Sequence, residues 1–294
     1  VGGYFGARLA NAGYDVSFIA RGEHLKAIKN NGLKIISELG DMIIHPAKAS
    51  DNPADFEIAD IVLFCVKSYD TESSSNLIKP IVGQNTAVIP FLNGIGHIEI
   101  MQKILGKNSV IGGVAAISAL ISEPGVIQHN SAMQMLKFGE FNNIISPRIK
   151  AFQEACEKSG INNNIPENIE CDIWQKIIMI CTLAGANCIT RLPLGVCRTN
   201  PATRNFMKNL AEEAVEIAKA ENIILPDNQV EITMKQLDSL PEAMKASTLP
   251  ALEKGEKLEA SALNGAISIL GNKHKINTPA HKAVYAALSP HENG

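Results

Sequence analysis

The sequence has no cysteine pair at CxxC spacing and no HExxH, so neither a thiolate zinc site, a dithiol redox motif nor a histidine-rich metal centre is expected. Its six cysteines, Cys65, Cys156, Cys171, Cys181, Cys188 and Cys197, are scattered, and several lie in apolar runs where a free thiol packs as a small hydrophobe. That usage points to a reducing, cytoplasmic compartment. A surplus of one charge is lacking too: 27 Lys and Arg face 30 Asp and Glu, for a formal charge of -3. With no basic face and no aromatic-plus-basic platform, no nucleic-acid partner is expected. The uncharged runs Ile177 to Thr190 and Ser109 to Ser122 are too short for a membrane span and carry Gly, Ser or Thr. A soluble protein with no membrane partner is the expectation. Internal repeats and low-complexity segments are absent as well.

What remains is an ordinary globular composition, 46% hydrophobic and 19% charged, in 294 residues, enough for two domains with a substantial core. One stretch organises it. Ile173 to Asn187 holds the only Trp, Trp174, and a single charge, Lys176. An ammonium in so apolar a run either snorkels to the surface or sits in a pocket with a partner. Burial lowers a lysine's pKa toward neutrality, where it can donate a proton to a reacting oxygen.

The chain opens Val1-Gly2-Gly3-Tyr4-Phe5-Gly6, and Gly3 to Ala12 suits a helix stopped at Gly13. Asp15 to Ala20 alternates as a strand. A glycine-opened helix followed by a strand is the second half of a dinucleotide-binding β-α-β unit, with Gly2 as the last glycine of GxGxxG. The first strand and the start of that motif are not among these residues. Arg21 falls just past the strand, where a carboxylate would grip the ribose of NAD and a cation the 2′-phosphate of NADP. The cation favours NADP; Glu23 supplies the rival NAD reading, and a solvated loop is the plain alternative.

Leu33 to Ile36 and Met42 to His45 read as short strands, and Ile58 to Val66 as the near-continuous apolar strand of a parallel sheet. Lys67-Ser68-Tyr69 follows at its carboxyl end, the ligand side of such sheets, and a strand from Thr86 to Phe91 delivers Asn93-Gly94-Ile95-Gly96 to the same edge. Turn chemistry alone would also explain an Asn-Gly pair. Ser109 to Ile121 and Val126 to Phe138 read as paired strands across Glu123-Pro124-Gly125, and Pro147 to Ser159 as a helix. Beyond the Asn-rich stretch from Asn162 the signals are helical: Pro201 onward, Asp227 to Ser239, Ser261 to Leu270, and Pro279 to Leu288. The expected fold class is α/β, an N-terminal Rossmann-type dinucleotide-binding domain over 1-166 followed by an all-α domain over 167-294. A cofactor along the strand ends would face a cleft closed by the helices.

In this order and spacing, several segments resemble the ketopantoate reductases, or 2-dehydropantoate 2-reductases. They are Val1 to Gly6 with Ile19-Ala20-Arg21-Gly22, Cys65 to Thr71, Leu92-Asn93-Gly94, Glu123-Pro124-Gly125, Trp174-Gln175-Lys176, and Leu258-Glu259 ahead of Leu263-Asn264-Gly265. The resemblance covers essentially the whole chain. It implies an enzyme that reduces a small-molecule 2-oxo acid to a 2-hydroxy acid with NADPH, on the route to pantothenate and coenzyme A, and it is compatible with a homodimer. By resemblance Lys176 is the proton donor and Glu259 the acidic residue facing it and the cofactor. Asn93 and Lys67 line the cofactor and reacting centre, Arg21 holds the 2′-phosphate, Ser247 holds the substrate carboxylate, and Ser118 falls near a backbone contact to the cofactor. Gly2 and Gly3 complete the cofactor set.

The chemistry suits these residue types, because hydride arriving at a carbonyl carbon builds negative charge on oxygen, which an adjacent ammonium stabilises and protonates. The substrate half departs from the family. Asparagines expected four and eight positions past the lysine, and one later, are here Ile180, Ala184 and Leu194, none with an amide; Asn187 lies nearby. That departure keeps two alternatives open: a non-catalytic NADPH-binding or sensor protein, and a related hydroxyacid dehydrogenase with another substrate or a preference for NAD.

Overall fold

The computed structural model describes every residue from Val1 to Gly294. The chain forms two compact units, one of Val1–Leu92 with Ile98–Ile169, the other of Asn93–His97 with Glu170–Gly294.

The first unit begins with helix α1 (Gly2–Asn11), strand β1 (Ser17–Ile19), helix α2 (Gly22–Asn31), and strands β2 (Leu33–Ser37), β3 (Met42–Ile44) and β4 (Lys48–Ser50). Strand β5 (Ala59–Phe64), helix α3 (Thr71–Leu77), strand β6 (Val82–Pro90) and helix α4 (His97–Leu105) follow. Strands β7 (Gly112–Glu123) and β8 (Val126–Gly139), helix α5 (Pro147–Lys158) and the short strand β9 (Asn163–Asn164) complete it. The apolar run expected to be a parallel strand is one: β5 pairs in parallel with β6, Val62 opposite Val88 and Leu63 opposite Ile89. β1 pairs in parallel with β4. The remaining strands form a mixed sheet in the order β3-β2-β8-β7, with β9 on β8, and the Glu123-Pro124-Gly125 turn joins β7 and β8 as an antiparallel hairpin.

Helix α1 packs closely because its small residues let it. A Cβ on Gly6 would stand 2.7 Å from the Phe18 ring. Its large residues, Tyr4 and Phe5, are fully buried with Ile35, Leu136 and Phe138 in the core of this unit. Burying each such side chain contributes about 1.5–3 kcal/mol. Helix α2 was not foreseen; its short amphipathic face, Leu25 and Ile28, is interrupted by charges, and His24 Nδ1 accepts the Gly125 N–H at 3.0 Å to fix it to the hairpin turn.

The second unit is helical: α6 (Ile169–Thr190), α7 (Leu194–Thr199), α8 (Pro201–Ala220), α9 (Gln229–Ser239), α10 (Thr248–Lys254), α11 (Asn264–His274) and α12 (Pro279–Leu288). α6 starts a turn earlier than the apolar run suggests, since Glu170 and Asp172 favour the positive N-terminal end of the helix dipole. It is long and apolar enough to cross a membrane by length and composition alone, and 67% of its most apolar window is buried in the fold. One side of α6 packs Trp174, Ile177, Ile178 and Cys181 against α8, and another packs Leu183, Ala184 and Ala186 against Leu194, Met207 and Leu237.

Several buried polar groups of this unit bond to one another. The Glu213 carboxylate accepts the N–H groups of Ala280 at 2.9 Å and His281 at 3.0 Å, capping α12 from α8. The buried His281 ring bonds the Leu210 carbonyl through Nε2 at 2.9 Å and meets Asn264 Nδ2 at Nδ1 at 3.1 Å; Asn264 also donates to the Cys181 carbonyl of α6 at 3.1 Å. Burial pushes the His281 pKa down to about 4, from an ordinary 6.5. The unfolded chain therefore takes up a proton below 6.5 that the folded chain refuses, so this stabilisation is fully present above pH 6.5 and is lost as pH falls toward 4. Urea unfolding should show stability falling across that window by about 3 kcal/mol for a group so shifted, and His281→Leu, although less stable at pH 7, should give a shallower slope than the parent chain.

Candidate active site

Of the cofactor residues expected from the sequence, Gly2, Gly3, Arg21, Lys67 and Ser118 belong to the first unit, with Arg21 and Lys67 just past the carboxyl ends of β1 and β5, whereas Asn93 and Glu259 belong to the second. Gly2, Gly3, Ala20, Arg21, Cys65 and Val66 come together at the carboxyl ends of these two strands, the nucleotide side of such a sheet. The absent side chains of Gly2 and Gly3 point at protein: a Cβ would stand 3.2 Å from the Cβ of Cys65 at Gly2 and 3.1 Å from Ile127 at Gly3. Both glycines thus serve the close approach of α1 to its sheets. What they offer a phosphate is backbone N–H at a helix start that has no side-chain cap.

Arg21 is exposed directly after β1, in extended conformation as the N-cap of α2. Its rival, Glu23, is held by Lys26 Nζ at 2.7 Å. Lys67 is exposed after β5. Ser118 is exposed on β7 at a register shift between Ile117 and Ala119, where the regular ladder to β8 breaks. These positions fit a dinucleotide in residue type: helix-start amides, and cations at strand ends.

The residues expected around the substrate fall in the second unit. Lys176 is half-buried on α6, and Glu259 half-buried between α10 and α11. The segment Asn93–His97 packs with them. At Gly94 the backbone takes φ +98, and an added Cβ would stand 2.5 Å from the Ala262 carbonyl oxygen, three residues past Glu259. Ile95 packs against the cluster of Trp174, Ile177 and Ile178, which flank Lys176. Gly94 thus lets the backbone approach protein, and that approach sets the half-buried Asn93. Ser247 is exposed at the start of α10, its hydroxyl unused as a cap.

Asn187, the amide nearest the departed positions, is fully buried and engaged: its Oδ1 accepts the Ala246 N–H at 2.8 Å, and its Nδ2 donates to the Leu192 carbonyl at 2.8 Å. It secures the backbone ahead of Ser247 and has no amide group to spare for a substrate. Ala184 and Leu194 lie in the helical core, 1% and 0% exposed, while Ile180 is half-buried.

Sequence reasoning missed one residue, His97. It is 7% exposed, its Nδ1 is buried without a hydrogen-bond partner, and its pKa is pushed down to about 4, first by burial and then by the charge of Lys176. The available signal was its place four residues after Asn93 among Ile95, Gly96 and Ile98, an apolar setting for an imidazole.

Comparison with known proteins gives the family. The profile of the ketopantoate reductase PanE/ApbA family matches residues 1–143, and that of its C-terminal domain matches residues 168–292. An uncharacterized oxidoreductase, YkpB, of Bacillus subtilis is 31% identical, the alignment covering 99% of this chain and 96% of the relative. The 2-dehydropantoate 2-reductase of Mesorhizobium japonicum is 28% identical over 98% of this chain and 94% of its own. A crystal structure of a PanE/ApbA family ketopantoate reductase from Ralstonia eutropha superimposes with a TM-score of 0.89 at 27% identity, covering 99% of this chain and 95% of that one. The fold and these matches define an oxidoreductase with a Rossmann-type domain and a helical domain. The chain belongs to the ketopantoate reductase family.

The docking of Asn93–His97 has a direct test. Gly94→Ala forces a side chain into a positive-φ position against the Ala262 carbonyl, at a cost of about 1–3 kcal/mol. Thermal unfolding should register that loss, and turnover should fall with it, because the strain displaces Asn93.

Proposed function

We propose that the chain reduces a 2-oxo acid to the 2-hydroxy acid with NADPH, and that ketopantoate is the foremost substrate. The observation that carries this reading is the packing of Asn93–His97 onto the helix of Lys176 and the segment of Glu259. It assembles a cation, a carboxylate and an amide within one unit of the fold.

NADPH, when bound, supplies a hydride. Backbone amides at the start of α1 and the Arg21 guanidinium would hold its phosphates, the latter selecting the 2′-phosphate because it is exposed while Glu23 is engaged by Lys26. Lys67 adds a second cation at the end of β5. On the substrate side, Lys176 stabilises the charge that develops on the carbonyl oxygen and gives that oxygen its proton. Glu259 favours the charged lysine, Asn93 orients the carbonyl, and the Ser247 hydroxyl is placed to bind the carboxylate. Flanked by apolar side chains, the ammonium works in a setting where each such interaction is stronger than in water.

A second reading follows from Ala184 and Leu194, which lie in the helical core, and from Asn187, which is engaged. The polar contacts that would read a substrate hydroxyl are not supplied from those positions. The chain would then act on a 2-oxo acid with an apolar side chain, or bind NADPH without turning anything over.

Two expected outcomes separate these readings. Lys176→Ala should lower kcat on ketopantoate or branched 2-oxo acids by about 100-fold or more with little change in NADPH affinity by calorimetry; an unaltered rate removes Lys176 from the donor role. Arg21→Ala should weaken NADPH binding by about tenfold, as for one lost charge-assisted contact, and leave NADH binding unchanged. Equal effects on both cofactors would favour the NAD reading, and NADPH binding with no turnover across the panel would favour the sensor.

A further inference from the structure

His97 lies outside the roles assigned above, and it carries an anomaly. Buried side-chain nitrogens nearly always have partners, because leaving one bare forfeits its hydration without return. The His97 Nδ1 has none, in a residue only 7% exposed. The imidazole sits at the end of the segment docked on α6, close enough to Lys176 to feel its charge. Lys176 is the charged group acting on it; Glu259 is the titratable group on the segment covering Gly94, and Glu99 on its own helix is exposed. A neutral imidazole has one lone pair to offer, and an ammonium has three hydrogens to give and none to accept.

We propose that His97 is a positioning residue for Lys176: its Nδ1 accepts one N–H of the ammonium and holds the lysine in the orientation from which it gives its proton to the substrate oxygen. The inference rests on the reading of Lys176 as proton donor. It requires the tautomer with the proton on Nε2. It also gives the buried nitrogen the partner it needs, and an acceptor beside Lys176 favours the charged amine.

Nitrogen-15 NMR of the imidazole in the whole, ligand-free chain tests this without any substrate. His97 should remain neutral near pH 6 with an unprotonated, hydrogen-bonded Nδ1. Lys176→Met should raise its titration midpoint and move the Nδ1 resonance to that of a free acceptor. A proton resident on Nδ1, or a His97 signal indifferent to Lys176→Met, overturns the proposal whether or not the chain is a reductase.

Kinetics supply the second arm. Where the parent chain turns over a 2-oxo acid, His97→Leu should lower kcat about tenfold, the loss expected for a hydrogen bond to a charged group. It should also move the basic limb of the kcat/KM profile down by about one pH unit, without lowering the melting temperature. His97→Asn, whose amide oxygen reaches the place of Nδ1, should restore most of both. Identical profiles for the parent and His97→Leu would overturn the proposal. An inactive parent chain would count against the reductase reading alone and leave the NMR arm to decide the role of His97.

Discussion

One cation half-buried in the most apolar helix of the chain is the constraint on which the rest depends. Lys176 is half-buried in α6, and the fold leads the Asn93–His97 segment onto that helix. Gly94 makes the approach sterically feasible, Ile95 anchors it in the core beside Trp174, and His97 closes it with a neutral ring. The same helix is tied from behind, where Asn264 and His281 bond the Cys181 carbonyl and the Leu210 carbonyl inside the bundle. The proposed proton donor and the packing of the bundle share one element, so a change that loosens α6 reaches both.

Much of this was legible in the residues. The apolar run at β5, the Pro-Gly turn between β7 and β8, the Asn200-Pro201 start of α8 and the bounds of α12 follow from periodicity and capping, which are local. Helices α2, α3, α4, α7 and α10 were not legible. They are short, polar or cut by charges, and they hold their shape through tertiary contacts such as the His24 bond to Gly125. The glycines of α1 were readable as a helix start, and the structure shows what they approach: Cys65, Ile127 and Phe18.

The site divides in the same way. Lys176 stood out as a lone charge, and Arg21 and Lys67 by their places at strand ends. That Gly94 faces a backbone carbonyl, that Asn187 is spent on Ala246 and Leu192, and that His97 lies near the lysine are facts of tertiary contact between segments far apart in sequence. No local pattern encodes them. The replacement of the expected amides by Ile180, Ala184 and Leu194 was visible, but its meaning needed burial, which places Ala184 and Leu194 in the helical core.

The central claim is that the chain moves a hydride from NADPH to the carbonyl carbon of a 2-oxo acid. The most direct measurement uses NADPH carrying deuterium at the transferable nicotinamide position, with ketopantoate and branched 2-oxo acids, followed by mass spectrometry of the products. The account predicts a 2-hydroxy acid with deuterium at carbon 2 and a hydroxyl proton from water. Recovery of unreduced acid from a chain saturated with cofactor, or of product without the label, would contradict it.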